Sequence, residues 1–182
     1  MKHRILGQVL VAAGLALSAG SAAAAANVGD ADLAKQVRHA LAMYPQYTIW
    51  DDVNFRVSDG RVELSGAVSQ PYKKDDMERL VRGIPGVAGV SDGLKVLPLS
   101  DFDNRLRLQV ARAIYGDPSF RQYATMALPP VHIIVDNGHV TLTGVVATDF
   151  ERNIAGIRAA GAGLSFGAVT NDLQVEHPSR KS

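Results

Sequence analysis

Cysteine is absent from the 182 residues. That excludes disulfides, thiol catalysis, thiolate metal sites and a lipid-modified N-terminal cysteine. Net charge is nearly absent too, at +1. A chain so balanced has no overall pull toward nucleic acid. Catalytic signatures are also missing: there is no G-x-S-x-G and no H-E-x-x-H. No enzyme activity and no cofactor are expected.

The N-terminus reads as a secretory signal peptide over 1–26. Lys2 and Arg4 are its basic start, Ile5 to Leu17 its apolar run, and Ser18 to Ala26 a small-residue stretch suited to cleavage near Ala24 or Ala26. A spanning helix needs about 20 apolar residues, and this run is shorter, so no transmembrane segment is expected after processing. Cleavage would remove Lys2 and Arg4 and no acid. The 19 basic residues become 17 against 18 acidic ones, a mature charge of −1.

The rest of the chain repeats itself. Val53 to Val68 and Val131 to Val146 align at a constant shift of 78, apolar on apolar, Gly60 on Gly138 and Gly66 on Gly144. Each segment predicts a β-hairpin. Asp59-Gly60 and Asn137-Gly138 are two-residue turns that tolerate positive φ. That turn length sets the register: Val57 opposite Val62, Phe55 opposite Leu64 and Val53 opposite Gly66. In the second copy Val135 faces Val140, Ile133 faces Leu142 and Val131 faces Gly144. Every pair lies on one face, as strand alternation requires.

An isolated hairpin is marginally stable in water, and helical patterns flank both. Leu33, Val37, Ala40 and Leu41 precede the first, with Asp30 or Asp32 as caps. Leu106, Val110, Ala113 and Ile114 precede the second, with Asp103 or Asn104 as caps. After the first hairpin, Pro71 opens a helix whose stripe is Met77, Leu80, Val81 and Ile84. After the second, Thr148 and Glu151 form a capping box, followed by a stripe of Phe150, Ile154 and Ile157. That stripe aligns with the first at a shift of 77. A last strand closes each copy: Val90, Leu94, Val96, then Val169, Leu173, Val175. The expected fold is α+β, a tandem repeat of two αββαβ modules, each with two helices on a three-stranded mixed sheet. Module 1 spans 29–97 and module 2 spans 101–177. Leu97 to Ser100 joins them, short enough that they touch, and 178–182 is a disordered tail.

These motifs resemble the BON domain. The residues that carry the likeness are Val57, Asp59-Gly60, Val62, Leu64, Gly66, Val68, Gly86-Val87, Val90, Asp92, Leu94 and Val96. In the second copy they are Ile133, Val135, Asn137-Gly138, Val140, Leu142, Gly144, Val146, Val169, Asn171, Leu173 and Val175. The resemblance implies a periplasmic envelope protein tied to osmotic stress, one that binds anionic phospholipid or, alternatively, envelope proteins in a chaperone-like or scaffolding role. Sheet edges that could add a partner strand suit the second role.

Other features have plain readings. Gly83-Ile-Pro-Gly86 has the G-x-x-G spacing of nucleic-acid-binding loops, but it lies between a helix and a strand, and Pro85 lacks a donor N–H. It reads as a turn. Asp51-Asp52 lacks calcium-loop spacing and reads as a loop. His132 and His139 lie several residue steps apart on one hairpin and read as solvated strand residues rather than metal ligands.

Two surfaces are candidates for lipid or partner contact. One is Tyr72, Lys73 and Lys74 with Arg79 and Arg82, interleaved with Asp75, Asp76 and Glu78, an arrangement most often merely solvated. The other joins Phe150, Arg152 and Arg158 to Tyr115, Phe120, Arg121 and Tyr123. It mixes aromatic and basic residues and is the preferred side, although aromatics there also suit a core.

Overall fold

The computed structural model describes residues 29–163 and 166–176. The expected signal peptide and the tail, with His177, lie outside the described residues. The first module runs α1 (Asp30–Ala42), β1 (Asp52–Ser58), β2 (Arg61–Val68), α2 (Pro71–Arg82) and β3 (Gly89–Val96). The second runs α3 (Asp101–Tyr115), a 3₁₀ turn (Pro118–Phe120), α4 (Arg121–Ala124), β4 (Val131–Asp136), β5 (His139–Val146), α5 (Asp149–Ala160), β6 (Thr170–Asn171) and β7 (Gln174–Val175).

Both hairpins have the register that their turns dictate. Phe55 faces Leu64 and Ile133 faces Leu142, with Val53 opposite Gly66 and Val131 opposite Gly144. Asp59 and Asn137 both take φ of 51°, and Gly follows each, as this turn type demands. The central strand of each sheet pairs antiparallel with its hairpin mate and parallel with the closing strand. In module 2 the closing strand is two short pieces, β6 and β7, both on β5. The core of module 1 joins Leu33, Val37 and Leu41 of α1 and Met77 and Val81 of α2 to Val62, Leu64, Val68 and Leu94 of the sheet. These are α+β modules with helices laid on mixed three-stranded sheets.

The helix starts differ from expectation. Gly29, not an aspartate, is the N-cap of α1, and Ser100 caps α3 by accepting from the Asp103 N–H. The aspartates do other work. Asp30 accepts from the Asp59 and Gly60 N–H groups at 2.9 Å each. Asp103 accepts from the Asn137 N–H at 3.1 Å and the Gly138 N–H at 2.8 Å. One carboxylate thus clamps the tip of the hairpin to the first helix in both modules. Positive φ at the turn points two successive N–H groups the same way, a nest for an anion.

The second helices also differ from expectation. Of the stripe Phe150, Ile154 and Ile157, only Ile154 packs against the core; Phe150 and Ile157 stand in solvent. The buried positions of α5 are Glu151, Ala155 and Ala159, which match Lys73, Met77 and Val81 of α2 at a shift of 78. Two core residues of α2 have therefore become alanines in α5. Volume is restored from the inserted turn before β4, where Phe120 and Tyr123 join the same core cluster. Interiors are close-packed, so smaller helix residues require larger ones elsewhere.

The modules are locked together. The segment before β1 runs along the edge of β4, where the Ile133 N–H donates to the Ile49 carbonyl at 2.7 Å. The His132 Nδ1 bonds the Asp51 carbonyl, and the Tyr47 ring lies 5.4 Å from the His132 ring. Ile49 and Trp50 pack on the core of module 2. Ala67, Leu97 and Ile134 form a further apolar contact, and Lys95 pairs with Asp136. All residues from Val131 to Val135 are consequently buried. His132 is not the solvated residue its alternation suggested, because module 1 covers the face that would have met water.

Candidate functional site

The preferred aromatic-basic surface is divided by the fold. Phe120 is 0 % exposed and Tyr123 is buried. The Tyr115 hydroxyl donates to the Val131 carbonyl, and the Tyr123 hydroxyl donates to Glu151 at 3.1 Å. Burial raises the pKa of both phenols, Tyr115 most strongly. These three aromatics belong to the core and do not form a lipid surface. The two hydroxyls are satisfied and all three rings fill space, as the alternative reading of such residues holds.

Lys73 is likewise buried. Its ammonium donates to Asp51 at 2.6 Å, Ser69 at 2.9 Å and Thr48 at 3.3 Å. Asp51 also accepts from the Thr48 and Ser69 N–H groups at 2.9 and 2.7 Å. A buried ion pair tolerates its desolvation only when the remaining donors and acceptors are met, and here they are. Burial would push the Asp51 carboxyl up. The Lys73, Ser69 and Thr48 donors outweigh it and hold the carboxyl below its ordinary value.

What remains exposed defines a different site. Tyr72 and Phe150 are equivalent second residues of α2 and α5, and both stand in solvent, Phe150 at 63 %. Ile157 is 64 % exposed, one face along from Phe150 at a spacing of seven. Arg121 is exposed, while Lys74 and Arg152 are half-exposed. Lys74 donates to the Leu94 carbonyl at 2.6 Å, Arg152 pairs with Asp149 at 3.2 Å and Arg158 pairs with Asp117 at 2.7 Å.

Each module has a groove between its two helices. In module 1 it measures about 730 Å³ and is lined by Lys35, His39, Arg79, Leu80, Ile84 and Pro85 among others. In module 2 it measures about 570 Å³ and is lined by Arg112, Ala113, Asp117, Pro118, Ile157 and Arg158 among others. The shift of 78 sets Arg79-Leu80 on Ile157-Arg158, so the basic and apolar residues exchange places while the pair persists. His39 and Arg112 occupy matching places on the opposing helices. Both grooves thus offer an apolar floor and cationic rims.

Sequence reasoning missed these grooves. A signal existed: the Phe150 to Ile157 stripe carries more apolar surface than a helix already buried through Glu151, Ala155 and Ala159 requires. Among the described residues no group of three His, Asp or Glu side chains could hold a metal ion. No helix there is long and apolar enough to cross a membrane. Gly83 ends α2, and the turn to Gly86 leads into β3.

This architecture is a duplicated α+β module in which one strand, β4, is buried on both faces at the junction. The BON domain model matches residues 29–98 and 102–177. The chain belongs to the BON domain family, whose members are generally non-enzymatic and associate with the bacterial envelope. No curated protein matches it. Solved structures similar to it include two of one secretion-system protein. One is from studies of CdsD, a structural protein of the type III secretion system of Chlamydia trachomatis, at 18 % identity and a TM-score of 0.28, covering 82 % of this chain and 94 % of that one. The other is the C-terminal domain of CdsD, at 14 % identity and 0.29, covering 82 % and 100 %.

Proposed function

We propose that this is a non-enzymatic periplasmic protein that docks on anionic phospholipid surfaces through the interhelical grooves of its modules, as part of an envelope-stress response. The observation that carries the reading is the recurrence of one groove in both modules, with apolar residues flanked by cations. Side chains of that kind suit the boundary between headgroups and acyl chains. Module 2 is the stronger contact, because Phe150 and Ile157 are the more exposed apolar pair. The basic residues are partly engaged by acids of their own module, so the electrostatic share is modest and the apolar share decides affinity.

Sedimentation with phosphatidylglycerol vesicles tests this. The protein should pellet at low salt, where attraction is least screened, and not with neutral phosphatidylcholine. Ile157→Asp with Phe150→Asp should abolish pelleting without unfolding the chain, since both side chains lie in solvent. Absence of pelleting by the unaltered protein at low salt would overturn the reading.

A further inference from the structure

Each sheet has two edges, and among the described residues all but one of these edges are guarded. On the edge of β4 the Ile49 carbonyl takes the Ile133 N–H at 2.7 Å. The closing strands are blunted by side chains. In β3 the Leu94 N–H donates to Asp92 at 2.9 Å, and the Leu94 carbonyl accepts from Lys74 at 2.6 Å. In module 2 the Leu173 N–H donates to Asn171 at 3.4 Å, and the closing strand is cut into two pieces of 2 residues each. Short edge strands and charged side chains laid on an edge deter pairing with another chain.

The edge of β1 has no such guard. Alternate residues of an antiparallel strand turn their N–H and C=O groups toward the mate, and the others turn them outward. Ile133 points outward to Ile49, so its counterpart Phe55 points outward too, with Val53 and Val57 on either side. The Val53 N–H meets the Tyr47 hydroxyl at 3.3 Å. The N–H groups of Phe55 and Val57, and the carbonyls of all three, have no partner among the described residues. The strand runs for 7 residues without proline, lysine or bulge.

Its side chains are uncovered as well. Val53, Phe55 and Val57 are half-buried, whereas Val131, Ile133 and Val135 of β4 are each 0 % exposed. Beside β1, the small Ala31 and Ala34 of α1 leave a groove of about 570 Å³ that these three apolar residues line.

We propose that β1 pairs antiparallel with β1 of a second copy of this chain, joining two three-stranded sheets into one. The strand's own sequence selects this occupant. Its outer face reads Asp52, Asn54, Arg56, Ser58, with the acid toward one end and the base toward the other. Antiparallel pairing therefore sets the acidic end of each copy against the basic end of its mate. Arg56 has no ion pair among the described residues. Pairing the whole strand with itself puts Phe55 opposite Phe55, Val53 opposite Val57 and Asn54 opposite Arg56. The Asn54 amide already donates to Asp52 at 3.1 Å, which leaves its side-chain oxygen to accept from the facing Arg56. Asp52 of that same copy lies on the diagonal from Arg56. Apolar residues meet apolar ones, and no like charges stand directly opposite. The outward groups of residues 53, 55 and 57 fall opposite one another, as an antiparallel ladder requires. A two-fold axis closes the assembly at two copies. The lipid reading does not use this edge, so either can fail alone.

Sedimentation equilibrium of the full protein without lipid is the test. A reversible monomer–dimer equilibrium is expected, with a dissociation constant below about 1 mM and no larger species. Val57→Pro removes an outward N–H and keeps the ladder with β2, since proline is tolerated on an edge. It should abolish the dimer. Because it also trims a half-buried side chain, two substitutions at the exposed Asn54 accompany it. Asn54→Glu sets a carboxylate opposite each Arg56 and should tighten the dimer at least about twofold, while Asn54→Lys sets like charges opposite and should loosen it by about as much. Phe150→Asp with Ile157→Asp should dimerise as the unaltered protein does. A monomer at every concentration up to roughly 1 mM overturns the proposal and leaves the edge to a strand of another protein. Growth beyond the dimer overturns it too, as does a dimer that folded Val57→Pro leaves intact. So do Asn54 variants that shift the equilibrium in the same direction or not at all, or loss of the dimer in the Phe150 and Ile157 variant.

Discussion

Lys73 and Glu151 occupy one position, the third residue of the second helix, and carry opposite charges in the two modules. Each is buried and each secures the strand-to-helix corner of its module. Glu151 does so directly, in a capping box with Thr148. Lys73 does so through Asp51, whose carboxylate replaces that of the glutamate. The charge reversal is tolerated because the compensating acid comes from the segment before β1. That segment also contacts module 2, so the solution adopted in module 1 ties its helix to the module junction.

Breaking this pair has a defined cost. Lys73→Met leaves Asp51 buried with its strongest partner gone, and removal of one member of a buried pair costs about 3–5 kcal/mol. Asp51→Asn with Lys73→Met removes both charges and should recover a large part of that loss. Chemical denaturation of the single and double variants measures the difference. Equal stability of the single and double variants would refute the coupling.

The same carboxylate sets an acid limb. Asp51 is held below its ordinary value, as is Asp117, whose carboxylate accepts from the Ser119 N–H and from Arg158. A depressed folded-state pKa contributes stability above the unfolded value, about 3.9 for Asp. That contribution is lost as pH falls through the folded value. Stability should thus be flat in these groups at neutral pH and decline below about pH 4. Asp51→Asn should lower stability at pH 7 and flatten the decline, which denaturant titrations at several pH values will show.

The aspartate clamps on the hairpin tips separate burial from geometry. Asp30 and Asp103 make the same pair of bonds, but Asp103 is buried and Asp30 is exposed. Hydrogen bonds to a charged group contribute about 1.5–3 kcal/mol where water cannot substitute. Asp103→Ala should therefore cost about that much or more, and Asp30→Ala under about 1 kcal/mol, where water replaces the carboxylate. Thermal melts of both variants compare them on one scale.

Much of this fold was legible in the sequence, and the exceptions share a cause. Period-two alternation and the turn pairs Asp59-Gly60 and Asn137-Gly138 are local signals, so register followed from them. Gly66 and Gly144 were legible as aligned residues, and their reason is now physical: at φ near +108° a Cβ would meet the Asp52 carbonyl oxygen at 2.1 Å or that of Pro130 at 1.9 Å. What could not be read depends on distant partners. Lys73 looked like a surface cation because Asp51 lies 22 residues away. Phe120 and Tyr123 looked like surface aromatics because the alanines they compensate lie on another helix. His132 looked solvated because the covering module is separate in sequence. The grooves went unseen for the same reason, since each is made by two helices that only the fold brings together.

The glycines give a direct test of the backbone argument. Gly144→Ala must move the strand away from Pro130 and adopt a strained φ, a cost of at least about 1–3 kcal/mol. A control such as Gly161→Ala, whose added Cβ would meet only ordinary contacts at 3.6 Å, should be near neutral or slightly stabilising. Denaturation midpoints of the two variants should differ clearly, and equal midpoints would refute the close approach as the reason for glycine.

The junction decides whether the protein unfolds once or twice. Ile49 completes the edge of β4, and His132 and Ile134 are buried only because module 1 lies against them. Without that cover, Ile134 would stand on an open sheet face and the Ile133 N–H on an open edge, which is how strands come to pair with other chains. The two modules should therefore melt as one cooperative unit. Ile134→Asp places an unpaired charge between Ala67 and Leu97, opening the junction while leaving both cores intact. Calorimetry should then resolve two transitions, the lower belonging to the module with less core. A single unchanged transition would mean that the modules are coupled through the 97–100 connection alone and that the packed junction contributes nothing.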